Sequence, residues 1–380
     1  MTPTGLDRVA ADGLKRFRGQ RVGLLTHAAA TLSRPPFTSA RDLFANSPGV
    51  KLAALFGPEH GLTGAAQDLI PVAGGGGRVP VHTLYGETFE SLKPTPDKLA
   101  GLDVFVIDMV DVGSRYYTFQ ATMLYCLEAC AAVGLPVVVL DRPNPLGRAV
   151  EGPTIRAGFE SFVGAHPIAT RHGLTMGELA EFYRADRLID CDLTVIPAFP
   201  GDGGWVIPPS PNMPTVDTAH VYPGGCLIEG TNLSEGRGTT RPFEYVGHPA
   251  ADPRRVADLL NTQDLPGFAF LPVTFHPTFQ KHAKQECGGV FLARFSDDAQ
   301  PVRMGLALLW AFKQLLGDKF RWRTERYEFV DDKPAVDLLF GSDRERLALD
   351  AGTHWRDIAA AWEPEEAAFR ARRATYLQGA

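Results

Sequence analysis

Glu59, Asp108, Asp111, Glu229, Glu235 and Glu244 follow apolar runs or sit among glycines, aromatics and arginines, not on charged helical faces. Paired carboxylates beside aromatic rings suit cleavage of a glycosidic bond. One acid protonates the leaving oxygen while another group stabilises an oxocarbenium-like transition state. The densest stretch is 227–244, LIEGTNLSEGRGTTRPFE. Its glycines allow positive φ and close approach of the backbone to a ligand. Its short polar side chains are donors and acceptors that can line a sugar-sized or phosphate-sized pocket. The plain alternative is a capped, solvated turn. Against it stands the recurrence of similar polar, glycine-broken segments at the ends of several predicted strands.

Other chemistries lack their signatures. No GxGxxG follows the first predicted strand and no GxxxxGK[ST] occurs, so a dinucleotide or nucleoside triphosphate site is disfavoured. The glycines at 74–77 follow no strand and read as a flexible loop. HExxH and GxSxG are absent. His60, His82, Asp108 and Asp111 offer metal-ligand types without diagnostic spacing, so neither a metal nor an organic cofactor is expected.

These side chains need a frame. Residues 21–26, 51–56, 80–85, 103–108, 136–140 and 193–199 read as short buried strands, with helices over 118–133 and 174–188. Thr175 with Glu178 forms a capping-box pattern, and Gly134 is a suitable C′ residue. This alternation predicts an α/β fold: a Rossmann-like, mostly parallel sheet with helices on both faces and right-handed crossovers. Ligands of such sheets bind beyond the carboxyl ends of the strands. There the chain places Thr26-His27, FGPEHG (56–61), DMVDVGSRYYT (108–118), DRPNPLG (141–147) and PPSPNMP (208–214). Asp108 has a structural alternative, holding its turn, and Asp141 with Arg142 reads equally well as a buried pair. Of Tyr116 and Tyr117, one is expected in the core and one against ligand. After 228 the pattern changes to strands over 268–275 and 289–295 among helices over 253–262, 302–316, 334–340, 344–349 and 355–376. That predicts two domains: 1–228, Rossmann-like, and 229–380, a smaller α+β unit completing a cleft.

Composition agrees. At 380 residues the chain exceeds the roughly 250–300 that a single core usually supports. A net charge of −6 argues against nucleic acid as a partner, and no segment reads as inserting in a membrane. Five cysteines, odd in number and without a CxxC, argue for a reducing compartment, with Cys126 and Cys130 in a helical core. Residues 1–19 lack an apolar signal-type run. The chain as written is therefore expected in the cytoplasm, or exported if a leader was removed before it.

Taken in order, FGPEHG, DVGSRYYT, LDRPNPLG, HGLTMGELA, PSPNMP, LIEGTNLSEGRGTTRPFE and FQKHAKQECGGV resemble a bacterial family first catalogued as a domain of unknown function and now described as NamZ-type exo-β-N-acetylmuramidases. The match runs from about Arg21 to the C-terminus. One departure is Thr26-His27, where the family pattern usually carries an asparagine. The resemblance implies release of N-acetylmuramic acid from the non-reducing ends of peptidoglycan-derived disaccharides or glycans, in a cleft between two domains. It makes Glu59 the leading catalytic residue, as general acid, and Asp111 is taken as the second carboxylate. The substrate-binding candidates are His60, Asp108, Arg115, Tyr116, Asn144, Asn212, Glu229, Asn232, Glu235, Arg237 and Thr239. Muramic acid carries a lactyl carboxylate that a guanidinium would read, with Arg115 and Arg237 the candidates. A non-catalytic sugar-binding module and a metal-assisted hydrolase are the competing readings.

Overall fold

The computed structural model describes residues 1–67 and 79–377; the glycine loop expected at 74–77 lies outside the described residues. Six strands, β1 (Arg21–Thr26), β2 (Lys51–Gly57), β3 (Val81–Thr83), β4 (Val104–Asp108), β5 (Val137–Leu140) and β6 (Leu193–Ile196), form one sheet in the order β3-β2-β1-β4-β5-β6. All its pairings are parallel. The two-residue strand period divides their side chains between two cores. Val22, Leu24, Val104, Val106, Val138 and Leu140 pack with Leu6, Val9, Phe17 and Phe44 on one face. Leu25, Phe105, Ile107, Val137 and Val139 belong to the larger core on the other face. Strands covered on both faces read as unbroken apolar runs, which is why they were legible.

The helix Phe119–Ala132 lies within the larger core, so Cys126 and Cys130 are buried packing residues. Thr175 and Glu178 form the expected capping box on Met176–Asp186. Three further strands, β7 (Tyr245–His248), β8 (Phe268–Phe275) and β9 (Cys287–Arg294), make an antiparallel sheet in the order β7-β9-β8.

Some elements differ from expectation. The helix expected over 355–376 breaks into Trp355–Ala360, Glu363–Arg373 and a short turn, because Pro364 can open a helix but not continue one. The sequence pattern predicts neither the helix Val216–Gly225 nor strand β7: Pro223, Gly224 and Gly225 read as breakers, and β7 has only four residues.

Val216–Gly225 joins the two units. It crosses Pro301–Leu316 at Gly224 and Gly305, where a Cβ on Gly224 would stand 1.9 Å from the Pro301 carbonyl and one on Gly305 2.4 Å from the Gly224 carbonyl. The larger core continues from the parallel sheet through this crossing into the second unit. The C-terminal helix Glu363–Arg373 then returns to the first: Glu366 accepts from the Gly152 N–H (2.8 Å) and Arg373 donates to the His172 carbonyl (2.7 Å).

Gly224→Ala should therefore destabilise the whole chain by about 1–3 kcal/mol or more, as overpacking does. Urea unfolding followed by circular dichroism measures it. An unchanged midpoint would mean that the two helices can separate freely.

Candidate active site

Glu59 follows the end of β2 and is buried, with its Oε2 accepting a 2.6 Å hydrogen bond from the Thr118 hydroxyl. Thr118 occupies the N-cap of helix Phe119–Ala132 but makes no side-chain cap bond there, its hydroxyl being used on Glu59. His60 donates from Nδ1 to the Ala66 carbonyl (2.8 Å). Glu59 and His60 line a cavity together with Tyr116, Tyr117, Ser210, Asn212, Tyr222, Glu229, Arg237, Phe243, Tyr327 and Glu328. The parallel-sheet unit supplies one wall and the chain beyond 216 the other.

The second wall carries the electrostatics. Arg237 Nη2 donates to Glu229 Oε1 at 2.6 Å, and its Nε lies 3.3 Å from Glu235 Oε1. The Tyr327 hydroxyl donates to Glu229 Oε2 at 2.7 Å, and Lys281 Nζ donates to Glu235 Oε2 at 3.0 Å. Burial alone would raise the Glu229 pKa, but Arg237 and the Tyr327 hydroxyl hold it below the ordinary value. Tyr85 donates to Glu328 at 3.2 Å. Burial pushes the Tyr116, Tyr117, Tyr222 and Tyr327 phenols well above their usual range, so all stay protonated donors. His60, Phe243 and Glu328 have φ of 66°, 63° and 45°. Left-handed backbone at non-glycine residues costs energy and tends to gather at functional sites.

Of the residues singled out in the sequence, Glu59, His60, Tyr116, Asn212, Glu229 and Arg237 meet in this cavity. Both Tyr116 and Tyr117 line it, so the expected division between core and ligand does not occur. Glu235 stands behind it, bound to Arg237 and Lys281.

Others are placed elsewhere. Asp108, fully buried, pairs with Arg142 through Nε (2.6 Å) and Nη2 (3.0 Å), and Arg142 also holds the Thr31 carbonyl, so Asp108 fixes the strand ends. Asp141 caps the next helix instead, accepting from Gly177 N–H and the Thr175 hydroxyl. Arg115 is spent on the carbonyls of Pro153, Ile168, Leu339 and Phe340, fully buried, and reaches no cleft. Asn144 bonds the Leu174 carbonyl and Leu146 N–H. Asn232 bonds the Lys319 carbonyl and Arg321 N–H. Thr239 closes its own turn on Gly236.

Asp111 lines a different recess, with Arg142 and Trp205, so it does not share the cavity of Glu59. Among the described residues, the carboxylates that do are Glu229 and Glu328. Glu328, Tyr327 and Tyr222 were not legible as site residues, because nothing in a lone YE pair or a Pro-Gly-Gly helix end marks a pocket. At the position of the family departure, His27 Nε2 accepts from the Val110 N–H (2.9 Å). Burial, with Arg142 and His60 nearby, pushes its pKa down to about 3, so the ring stays neutral. Among the described residues no cluster of three or more His, Cys, Asp or Glu side chains could hold a metal ion, the His60, His82, Asp108 and Asp111 set included. No described helix is long and apolar enough to cross a membrane.

Burial pushes Asp111 up to about 7 from an unfolded value of 3.8. Between these values the folded chain holds a proton that the unfolded chain has released, so stability falls as pH rises through the window. Asp111→Asn removes this term while keeping an acceptor for Gly113 N–H. Wild type minus variant stability should fall by on the order of a few kcal/mol between roughly pH 4 and pH 8, read by urea unfolding. A flat difference would mean that Asp111 ionises like an exposed carboxylate.

Residues 22–217 match the family model described as exo-beta-N-acetylmuramidase NamZ, N-terminal, and residues 220–378 the corresponding C-terminal model. The chain is 39% identical to the peptidoglycan beta-N-acetylmuramidase NamZ of Bacillus subtilis (strain 168) over 98% of this chain and 90% of that protein. Two solved DUF1343 family proteins from Bacteroides fragilis NCTC 9343 are each 29% identical, over 99% of this chain and 98% of theirs, with TM-scores of 0.86 and 0.78.

Proposed function

We propose, from the premise that this chain belongs to the exo-beta-N-acetylmuramidase NamZ family, that Glu59 is the general acid of its cleft. The protein is a glycoside hydrolase that releases N-acetylmuramic acid from the non-reducing ends of peptidoglycan-derived glycans. The observation that carries the role of Glu59 is its burial on the same cavity as Glu229 and Glu328, with one oxygen already bonded to Thr118. The other oxygen is left to carry a proton to the departing glycosidic oxygen.

Glu229 replaces Asp111 as the leading partner carboxylate. Held ionised by Arg237 and Tyr327, it presents fixed negative charge to a sugar ring that becomes cationic in the transition state. Tyr116, Tyr117 and Tyr222 supply aromatic surface and phenolic donors for sugar hydroxyl and acetamido groups. Arg237 is the one guanidinium on the cavity lining among the described residues, and it takes the role of reading the lactyl carboxylate.

Glu59→Gln keeps the shape and removes the transferable proton. Turnover on a natural glycan should fall by about 10²–10⁴-fold, and by less on a muramic acid glycoside with an activated leaving group. Equal losses on the two substrates would place the proton donor elsewhere.

Arg237→Ala should slow both substrates, because it uncovers Glu229 and Glu235, but should cost the muramic substrate about 1.5–3 kcal/mol more in kcat/KM than the N-acetylglucosamine analogue, the worth of a hydrogen bond to a charged group. Arg237→Lys should not restore the preference, since an ammonium lacks the planar fork. If Arg237→Ala leaves the muramic to glucosamine preference unchanged, the lactyl group is read by another residue.

A further inference from the structure

Two residues beyond Glu229 the chain enters the wall of a second groove. Lys281, Arg321 and Arg323 line it with His282 and Trp322, and Glu325 is its one carboxylate among the described residues. In a chain of net charge −6 this is a local reversal of sign. Lys281 already serves Glu235. Arg321 and Arg323 form no ion pair among the described residues. The Arg321 guanidinium rests on the carbonyls of Asp318 and Phe320, and that of Arg323 on the carbonyl of Arg326 (3.5 Å). Carbonyls leave the formal charge uncompensated, so an anion from solution meets no competing carboxylate on either arginine.

The groove is also built on a fixed frame. Arg321 N–H donates to Asn232 Oδ1 (2.9 Å), Asn232 N–H to the Arg321 carbonyl (3.0 Å) and Arg323 N–H to the Gly230 carbonyl (2.9 Å). The Trp322 indole donates to Asp350 (2.9 Å), and its ring meets Phe320 edge to face at 4.8 Å. Asn232 is thus a wall element of this groove. The same two segments reach the catalytic cavity. Lys281 Nζ donates to the Ile228 carbonyl (3.1 Å), and the Arg323 guanidinium stands 5.0 Å from the ring centre of Tyr327, which bonds Glu229. Cavity and groove therefore share a wall.

We propose that this groove binds a carboxylate carried on the leaving-group side of the substrate, past the scissile bond. The inference rests on the muramidase reading of the cleft. In a peptidoglycan glycan every second sugar bears a lactyl ether, which ends in a carboxylate or continues into a peptide that ends in one. A guanidinium fork matches a carboxylate, and an indole face suits the apolar face of a pyranose. The groove then favours longer glycans over the disaccharide without touching the reacting atoms.

The test compares wild type, Arg321→Glu and Arg321→Gln on three substrates: a muramic acid–glucosamine disaccharide, a peptide-free tetrasaccharide and a peptide-bearing tetrasaccharide. Arg321 is exposed and is not among the residues that line the cavity, so disaccharide kinetics should not change. With Arg321→Glu, KM on the peptide-free tetrasaccharide should rise on the order of tenfold at low salt with kcat kept, and Arg321→Gln should fall between. An effect confined to the peptide-bearing substrate identifies the peptide carboxylate as the anion instead of the lactyl one. KM unchanged on both tetrasaccharides, or raised equally on all three substrates, overturns the proposal. If Arg321→Glu does not fold, the same comparison with Arg321→Gln decides. Wild type without activity on any of the three would instead overturn the muramidase reading.

Discussion

The buried Arg237–Glu229 pair is what allows three carboxylates to share one cleft. Anions taken out of water repel one another and lose hydration, and a cavity holding Glu59, Glu229 and Glu328 without a cation would protonate or open. Arg237 divides its fork between Glu229 and Glu235, while Tyr327 and Lys281 take the remaining oxygens of those two groups. The network keeps Glu229 ionised. Removing one member of such a buried network uncovers a charge and costs far more than the net worth of the bond. The site is therefore tied to the closure of the two units around it.

Topology explains why the cleft is not where a Rossmann-like sheet usually holds its ligand. In the order β3-β2-β1-β4-β5-β6 the direction of winding changes between β1 and β4, where a crevice normally opens. Here Arg142 reaches across to Asp108 and Thr31 and fills that place, and the small recess beside it contains Asp111. The cavity of Glu59 lies instead beyond the end of β2, against the second unit. Arg115, buried and bonded to carbonyls of both units, helps to hold that arrangement, so a guanidinium that resembles a ligand reader is a clamp.

Much of this was legible in the chain. Buried parallel strands announce themselves as apolar runs, and the long motifs carried the family resemblance. The motifs also marked Glu59, Glu229 and Arg237 because each sits in a glycine-broken polar segment that such a cleft needs. What they could not show is direction. Asp108 and Asp111 are three residues apart, one ending β4 and the other in the loop after it, yet one is locked to Arg142 and the other faces a separate recess. Asn144 and Thr239 have the right chemistry and spend it on their own turns. Tyr222 and Glu328 reach the cleft only through long-range packing, one from a helix hidden behind Pro-Gly-Gly and the other from a strained turn at φ 45°. No local pattern encodes either.

The most direct test of the central claim is a crystal structure with N-acetylmuramic acid bound. The account predicts the sugar in the cavity between Tyr116 and Tyr327, with its anomeric oxygen about 2.6–3.2 Å from a Glu59 carboxylate oxygen. Its ring should face Glu229, and its lactyl carboxylate should lie on Arg237. A sugar seated in the Asp111 recess, or an anomeric oxygen beyond hydrogen-bond reach of Glu59, would contradict it.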